Sequence, residues 1–474
     1  MDYIEPNPPP ENNSWDERVE AGVGRASVES SLLQVVTPKA NSVWLDLTRA
    51  IAGRVVDHEA DSAAVLEKLI SNALDQSQVL EQYLTYLHPS FHPGEDGHVR
   101  VARLLIAIVE FLKRDTNVSA SSIDGHLLDP DNLVFKNSDD SGDGGCDDSI
   151  GRSRREVLIF MALGWITNLF IPKLTDGTLI ADTEHATGYQ TSHVASDLAY
   201  HSVLEVIREF GDILPTRRPS ERQPGLEAGA MPGTSGTDFY MFRIASMNIS
   251  TLQTVGGIKI EWTSSFASHL DFDPARLDEN TGEATPILKL FRYPSLCYLF
   301  MTESSLLNQL LENWYAEDEK PVRFTTMALM HEIRLSYQLL IRFDRKARAT
   351  YLGGLRASAL GSCFDPKLDA LCLWRRQGLF LERFQRDPLQ IRETFYSSSD
   401  FPIFSARLVK IDRFINSIQP NRISSLWKDK RDMLRWYTFW AVIILGVLSL
   451  AIGFVQTAIG AAQVELARQS LKTP

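Results

Sequence analysis

Apolar positions along this chain recur mostly at three- and four-residue spacing, and one central region replaces that spacing with alternation. Between Ser31 and Arg114, Val65, Leu66, Leu69, Ile70, Leu74 and Val79 follow the helical period, the mark of amphipathic helices packed on a core. Residues 101–114, VARLLIAIVEFLKR, are denser in apolar side chains and predict a core helix. The uncharged run Val157 to Pro172 includes Thr167 and Asn168 and follows Arg152, Arg154 and Arg155. It is too short to span a bilayer comfortably and predicts a buried core helix rather than an interfacial one. Ile258, Ile260 and Trp262, then Leu270 and Phe272, then Leu288 and Leu290 alternate with other residues in short runs, separated by Asn280, Gly282 and Pro286. That pattern predicts antiparallel strands. The helical period returns from Ser304, a candidate N-cap, and again from Thr325 to Ala347, where Met327, Met330, Ile333, Leu339 and Leu340 form a stripe. A last body helix runs from Phe404 to Ile418 and stops before Pro420. The expected fold class is mainly α with a small antiparallel β-sheet (α+β) and a single C-terminal transmembrane helix.

That last helix carries the strongest signal. From Trp436 to Val464 no side chain is charged. A helix crossing a hydrocarbon core of roughly 30 Å needs about 20 apolar residues, because its backbone groups have no partners in lipid except each other. Trp436, Tyr437, Phe439 and Trp440 open the run, and Lys428, Lys430, Arg431 and Arg435 precede it. Amphipathic rings favour the headgroup level, and basic flanks favour the cytosolic side. Arg468 and Lys472 are the only basic residues beyond the run, so the large N-terminal part is expected in the cytosol. The ten residues after the run give the pattern of a tail-anchored protein. Sequons at Asn12, Asn117 and Asn248 then lie out of reach of lumenal glycosylation.

The punctuation divides the chain further. Residues 1–28 are acidic and proline-rich, without a secretory signal, and are expected to be disordered. Residues 29–214 form a helical domain with an acidic loop at 137–150, and 215–237 form a linker rich in proline, glycine and charge. Residues 238–422 form an α+β domain, 423–435 a basic juxtamembrane segment, 436–464 the membrane helix and 465–474 a short tail.

Composition narrows the function classes. The chain has 474 residues and a formal net charge of -12, and its only dense basic cluster adjoins the membrane run, which argues against nucleic acid as a partner. Four cysteines, Cys146, Cys297, Cys363 and Cys372, are scattered without ligand-like spacing, as in a protein of a reducing compartment.

The candidate chemistry mostly dissolves on inspection. Asp139, Ser141, Asp143, Gly144 and Asp147 match positions of a calcium loop, but Ile150 stands where its bidentate glutamate belongs. His331 and Glu332 begin a zinc-helix pattern that Leu335 breaks. His88, His92 and His98 are separated by Pro89, Pro93 and Gly94, while His185, His193 and His201 would step about 80° around a helix. Residues 351–365 are rich in small side chains but lack a phosphate-cradling lysine, and no GxSxG elbow occurs. Asp271 and Asp273 share one side of a strand and read as a solvent face. No catalytic residue, metal ligand or cofactor is therefore assigned.

Within the membrane run, Ser449, Gly453, Thr457 and Ala461 recur every fourth residue, and Gly446 and Gly460 widen the same face. Small residues so spaced let a second helix approach closely, which allows a homo-oligomer. Gln456 is the amide at depth.

GIKIEWTSSFASHLDFD, LKLFRYPSLCYLF and LWKDKRDMLRWYTFWAVIILGVLSLAIGFVQ together resemble a group of filamentous-fungal proteins that end in an LWRDRRD-type segment, WYTFWAV and one membrane helix. The resemblance covers roughly residues 255 to 301 and 423 to 463 and implies a fungal origin and an anchor, with no activity to carry over. The arrangement also looks like that of CorA-type magnesium channels, but the Gly-Met-Asn signature and a clear second membrane helix are missing. The first expectation is a non-enzymatic membrane protein with two kinds of partner, the lipid bilayer and a cytosolic protein. Its alternatives are a membrane-bound enzyme with a dispersed site and a subunit of an oligomeric channel. The receiving membrane, endoplasmic reticulum or plasma membrane, is left open.

Overall fold

A computed structural model describes residues 42–54, 59–76, 79–115, 118–129, 134–136, 148–175, 178–182, 203, 240–277, 284–310, 325–360, 365–373, 392–418 and 433–470. The expected linker at 215–237, most of the acidic loop and the three histidines from His185 to His201 lie outside them.

The N-terminal half is helical. Its elements are α1 (Ser42–Ala52), α2 (Glu59–Gln76), α3 (Val79–Tyr86), α4 (Gly97–Arg114), α5 (Ala120–Leu128) and α6 (Asp148–Thr167), followed by the hairpin β1 (Ile171–Thr175) and β2 (Thr178–Asp182). Caps set two of the starts: Asp96 accepts from the His98 N–H ahead of α4, and Ser119 from the Ser122 N–H ahead of α5. Each satisfies a backbone donor that the helix itself leaves open. The dense helix α4 buries Val101, Leu104, Leu105, Ile108, Val109 and Leu112. Helix α6 begins at Asp148, inside the expected loop, and is a buried core helix from Leu158 to Ile166; the helix expected over 157–172 ends at Thr167, and Ile171 and Pro172 enter β1 instead. Arg155, in its first half, makes a two-pronged pair with Asp124 of α5, at 2.8 and 3.1 Å, with both side chains buried.

The second half carries the sheet. Strand β3 (Met241–Arg243) pairs antiparallel with β7 (Thr394–Tyr396), while β4 (Lys259–Thr263), β5 (Phe272–Leu277) and β6 (Ala284–Phe291) form a three-stranded sheet in the order β4-β6-β5. The expected antiparallel pairing holds for β5 with β6, but β4 runs parallel to β6, from Lys259 opposite Ile287 to Thr263 opposite Phe291. The sheet is therefore mixed. Around it lie α7 (Pro294–Phe300), α8 (Thr326–Tyr337), α9 (Arg345–Thr350), α10 (Pro366–Cys372) and α11 (Ser405–Ser417). The stripe from Thr325 is not one α-helix. It widens into a π-helical turn at Gln338–Arg342 and restarts at α9, where the Asp344 side chain caps the Ala347 N–H. Met330, Ile333, Leu339 and Leu340 are buried as expected, but Met327 faces outward.

One apolar core runs from Val43 to Ile415, so the two halves share an interior. Helix α7 packs against both α1 and α2. Ser62 of α2 donates to the Ser295 carbonyl, Lys367 pairs with Asp61 at 2.8 Å, and the Thr302 and Ser304 hydroxyls both donate to the Ala52 carbonyl. Ser304 is thus not the N-cap of the following helical turn, because that role falls to Ser305, which accepts from the Asn308 N–H. Gly53 ends α1 at φ +75, and a Cβ there would stand 2.2 Å from the Ser304 carbonyl oxygen. Only glycine serves both the left-handed cap and the close approach.

Gly53→Ala is expected to cost roughly 2 kcal/mol or more, combining left-handed strain with a backbone clash. Gly94 has φ +87, but a Cβ there would meet nothing within 4 Å, so Gly94→Ala should cost only about 1 kcal/mol. Urea unfolding of the detergent-solubilised chain checks the pair, and equal losses would contradict the close-approach role of Gly53.

Candidate functional site

His269, Glu332 and Asp365 in the body interior are committed to structure. His269 is fully buried, with Nδ1 accepting from the Phe291 N–H at 3.1 Å and Nε2 2.7 Å from the Ser336 hydroxyl, which donates to the Ile333 carbonyl. Because Nδ1 accepts, the proton sits on Nε2. Burial, helped by the nearby Arg407 guanidinium, pushes the imidazole down to about 3, so the ring is neutral. Arg407 in turn donates to the Ala267 and His269 carbonyls. Glu332 accepts from the Ile403 and Phe404 N–H groups at 2.8–3.0 Å, just ahead of α11, where a carboxylate faces the positive end of the helix dipole. Asp365 accepts from Ser295 N–H, Ser295 O–H and Lys367 N–H. Burial raises it to about 6 despite those three donors. Burial likewise pushes the Cys297 thiol up to about 12, far from a reactive thiolate.

The sequence-derived candidates fall apart in space. His331 is exposed while Glu332 points inward. His98 pairs with Asp75 and Asp96, His92 lies 3.9 Å from Glu95, and the His88 ring contacts Ser90. Asp271 and Asp273 are half-buried on either side of the buried Phe272, and Asp273 accepts from the Ala275 N–H. Residues 351–355 of the small-residue run form a second π-helical turn, with Tyr351 and Arg356 both bonded to Asp369. Asp139 to Asp147 lie outside the described residues.

What stands apart is α12 (Met433–Ser470). Its stretch Trp440–Val464 is 25 residues long, is long and apolar enough to cross a membrane, and none of it is buried against the rest of the described chain. At 1.5 Å per residue it spans about 37 Å, more than a hydrocarbon core of roughly 30 Å. In the body, the exposed large apolar side chains among the described residues are Met241, Met327, Leu352 and Tyr396; the remainder lie on this helix. A core helix of a water-soluble body would be covered, and this one is bare. The helix begins before Trp436 and continues past Val464, so the uncharged run is its middle.

Arg435 and Trp436 lie on its first turns, Tyr437 is exposed and Trp440 half-buried, while Lys428, Lys430 and Arg431 fall outside the described residues. Along the helix Gly446, Ser449, Thr457 and Ala461 are exposed and Gly453 and Gly460 half-exposed. A Cβ at Gly446, Gly453 or Gly460 would meet nothing within 4 Å. The Thr457 hydroxyl donates to the Gly453 carbonyl at 2.8 Å, which keeps that polar group satisfied within the helix itself. No family model matches the chain, and neither a curated protein nor a solved structure is similar to it.

Two outcomes follow from these geometries. Leu, Ile, Val and Phe each gain about 0.3–0.6 kcal/mol at a bilayer centre, whereas arginine costs about 2.5–3.5 kcal/mol. Leu448→Arg with Ile452→Arg should therefore release the chain into the supernatant on alkaline carbonate washing, and retention equal to the parent would contradict a lipid-buried helix. For His269 the folded value lies below the ordinary 6.5, so protonation favours unfolding. Its contribution is complete above about pH 6.5 and is lost as pH falls towards 3, on the order of 4 kcal/mol across that window. His269→Gln, which keeps a donor for Ser336, should flatten this acid-side loss in urea titrations; an unchanged slope would contradict the assignment.

Proposed function

We propose that this chain is a single-pass membrane protein that holds a folded body at the cytosolic surface of a bilayer, where the body binds or positions another protein. The observation that carries this reading is the 25-residue stretch of α12, whose side chains beyond the half-buried Trp440 are not buried in the described chain. Only a bilayer offers cover along such a length on all sides. The orientation is supported by Lys428, Lys430, Arg431 and Arg435 before the run against Arg468 and Lys472 after it. The positioning role is supported by an interior in which His269, Glu332 and Asp365 spend their hydrogen bonds on neighbouring backbone and hydroxyl groups, which favours a rigid body over a reactive one. The likeness of residues 423–463 to the fungal group supports a fungal source.

Sealed microsomes bearing the full chain test the topology. Added protease should digest the body from outside and leave a membrane-embedded fragment, with Asn12 and Asn117 unglycosylated. A protected body with either sequon modified would overturn the orientation. Asn248 is a silent reporter in the folded body, because its side chain is buried as the cap of residues 249–254. Proximity labelling from the body should enrich one set of cytosolic proteins; labelling indistinguishable from background would contradict the positioning role.

A further inference from the structure

The seam between the two halves holds an open cleft of about 140 Å³. One wall is α2, through Leu69, Asn72 and Ala73; another is the end of α6 and the start of β1, from Gly164 to Pro172. The third is formed by Ser264, Arg292 and Tyr293. Ser264 follows the last residue of β4 and Arg292 follows the last residue of β6, and these two strands are the parallel pair, with Thr263 opposite Phe291. The Arg292 N–H extends the ladder to the Thr263 carbonyl at 3.0 Å. Both side chains therefore stand at the carboxyl ends of parallel strands, the end at which α/β sheets collect ligands, and at the junction of two packed halves, where clefts tend to serve binding.

Arg292 is the only cation of the lining among the described residues. Its Nη2 donates to the Ser264 hydroxyl at 3.2 Å and its guanidinium lies 4.8 Å from the Tyr293 ring centroid. Its Nε is shielded from solvent without a hydrogen-bond partner, and no carboxylate pairs with it among the described residues. A guanidinium is a permanent charge with donors in a planar fork, and leaving one such donor unmet in a sheltered place is costly. The rest of the lining is mixed: Asn72 and Asn168 add polar groups, and Leu69, Trp165, Phe170, Ile171 and Pro172 supply apolar ones. Gly164 keeps the wall tight, since a Cβ there would stand 2.8 Å from the Phe170 ring.

We propose that this cleft binds a small monocarboxylate, its carboxylate on Arg292 and Ser264 and its apolar part against Trp165 and Phe170. One positive charge matches one negative charge, whereas a phosphate dianion would leave charge uncompensated in a sheltered site. A cavity of about 150 Å³ accommodates a benzene ring, which sets the size of the apolar part.

The test uses the full chain in detergent micelles, following tryptophan fluorescence and the melting temperature. Benzoate and butanoate should bind saturably and raise the melting temperature, and benzamide and inorganic phosphate should not. Arg292→Gln should weaken benzoate at least tenfold, the size of a lost charge-assisted hydrogen bond. Ala73→Leu, which narrows the cleft from the opposite wall without touching Arg292, should weaken it as well and decides the matter if the Arg292 variant fails to fold. Equal binding of benzoate and benzamide, benzoate affinity unchanged by Ala73→Leu, or no saturable carboxylate binding would overturn the proposal. Laurate binding without butanoate or benzoate binding would overturn it too, since the ligand would then be a lipid.

Discussion

A long helix whose apolar side chains beyond Trp440 are not buried among the described residues must find its cover elsewhere, and this constraint organises the reading of the molecule. Trp440–Val464 presents Val442, Leu445, Phe454 and Ile459 to the surroundings more than half exposed. In water such a surface would drive aggregation. In a bilayer it is satisfied along its whole length, and the backbone donors and acceptors are already met inside the helix.

The body buries its apolar side chains in one core. Its two halves are separate in sequence but share a core, tied by Ser62 to the Ser295 carbonyl, by Thr302 and Ser304 to the Ala52 carbonyl, and by the Lys367–Asp61 pair. Buried titratable groups stay because neighbours use them. Glu332 receives two backbone donors just ahead of α11, His269 bridges β6 to α8, and Asp365 ties α10 to α7. Each removes an unmet donor or acceptor that burial would otherwise penalise. The Nε of Arg292 at the seam is one of several shielded side-chain atoms that make no hydrogen bond.

Legibility in the sequence followed the range of the interaction. The membrane run, the dense helix over 101–114 and most of the buried helix expected over 157–172 declare themselves because composition and period are local properties; that helix stops at Thr167, where the chain turns into β1. The strands around Ile260, Phe272 and Leu288 are equally visible, but whether neighbours run parallel depends on which strand docks beside which, and β6 inserts between β4 and β5. Ser304 and Ser305 are equivalent as sequence. Their roles separate only because the Ala52 carbonyl, distant in the chain, takes the Ser304 hydroxyl. The continuous helix expected from Thr325 fails for a local reason that a stripe of apolar residues hides, since Asp344 caps a new start. Ser264 and Arg292 carry no motif at all, and only the parallel pairing of β4 and β6 brings them side by side.

The most direct measurement is the depth of the middle of α12 in a bilayer. A nitroxide placed through Ile452→Cys, on the full chain reconstituted in lipid nanodiscs, should collide with dissolved oxygen and be screened from a water-soluble nickel chelate. Labels through Tyr437→Cys and Arg468→Cys should show the reverse preference. Ready quenching of the Ile452 site by the nickel chelate would place the helix in water and contradict the account.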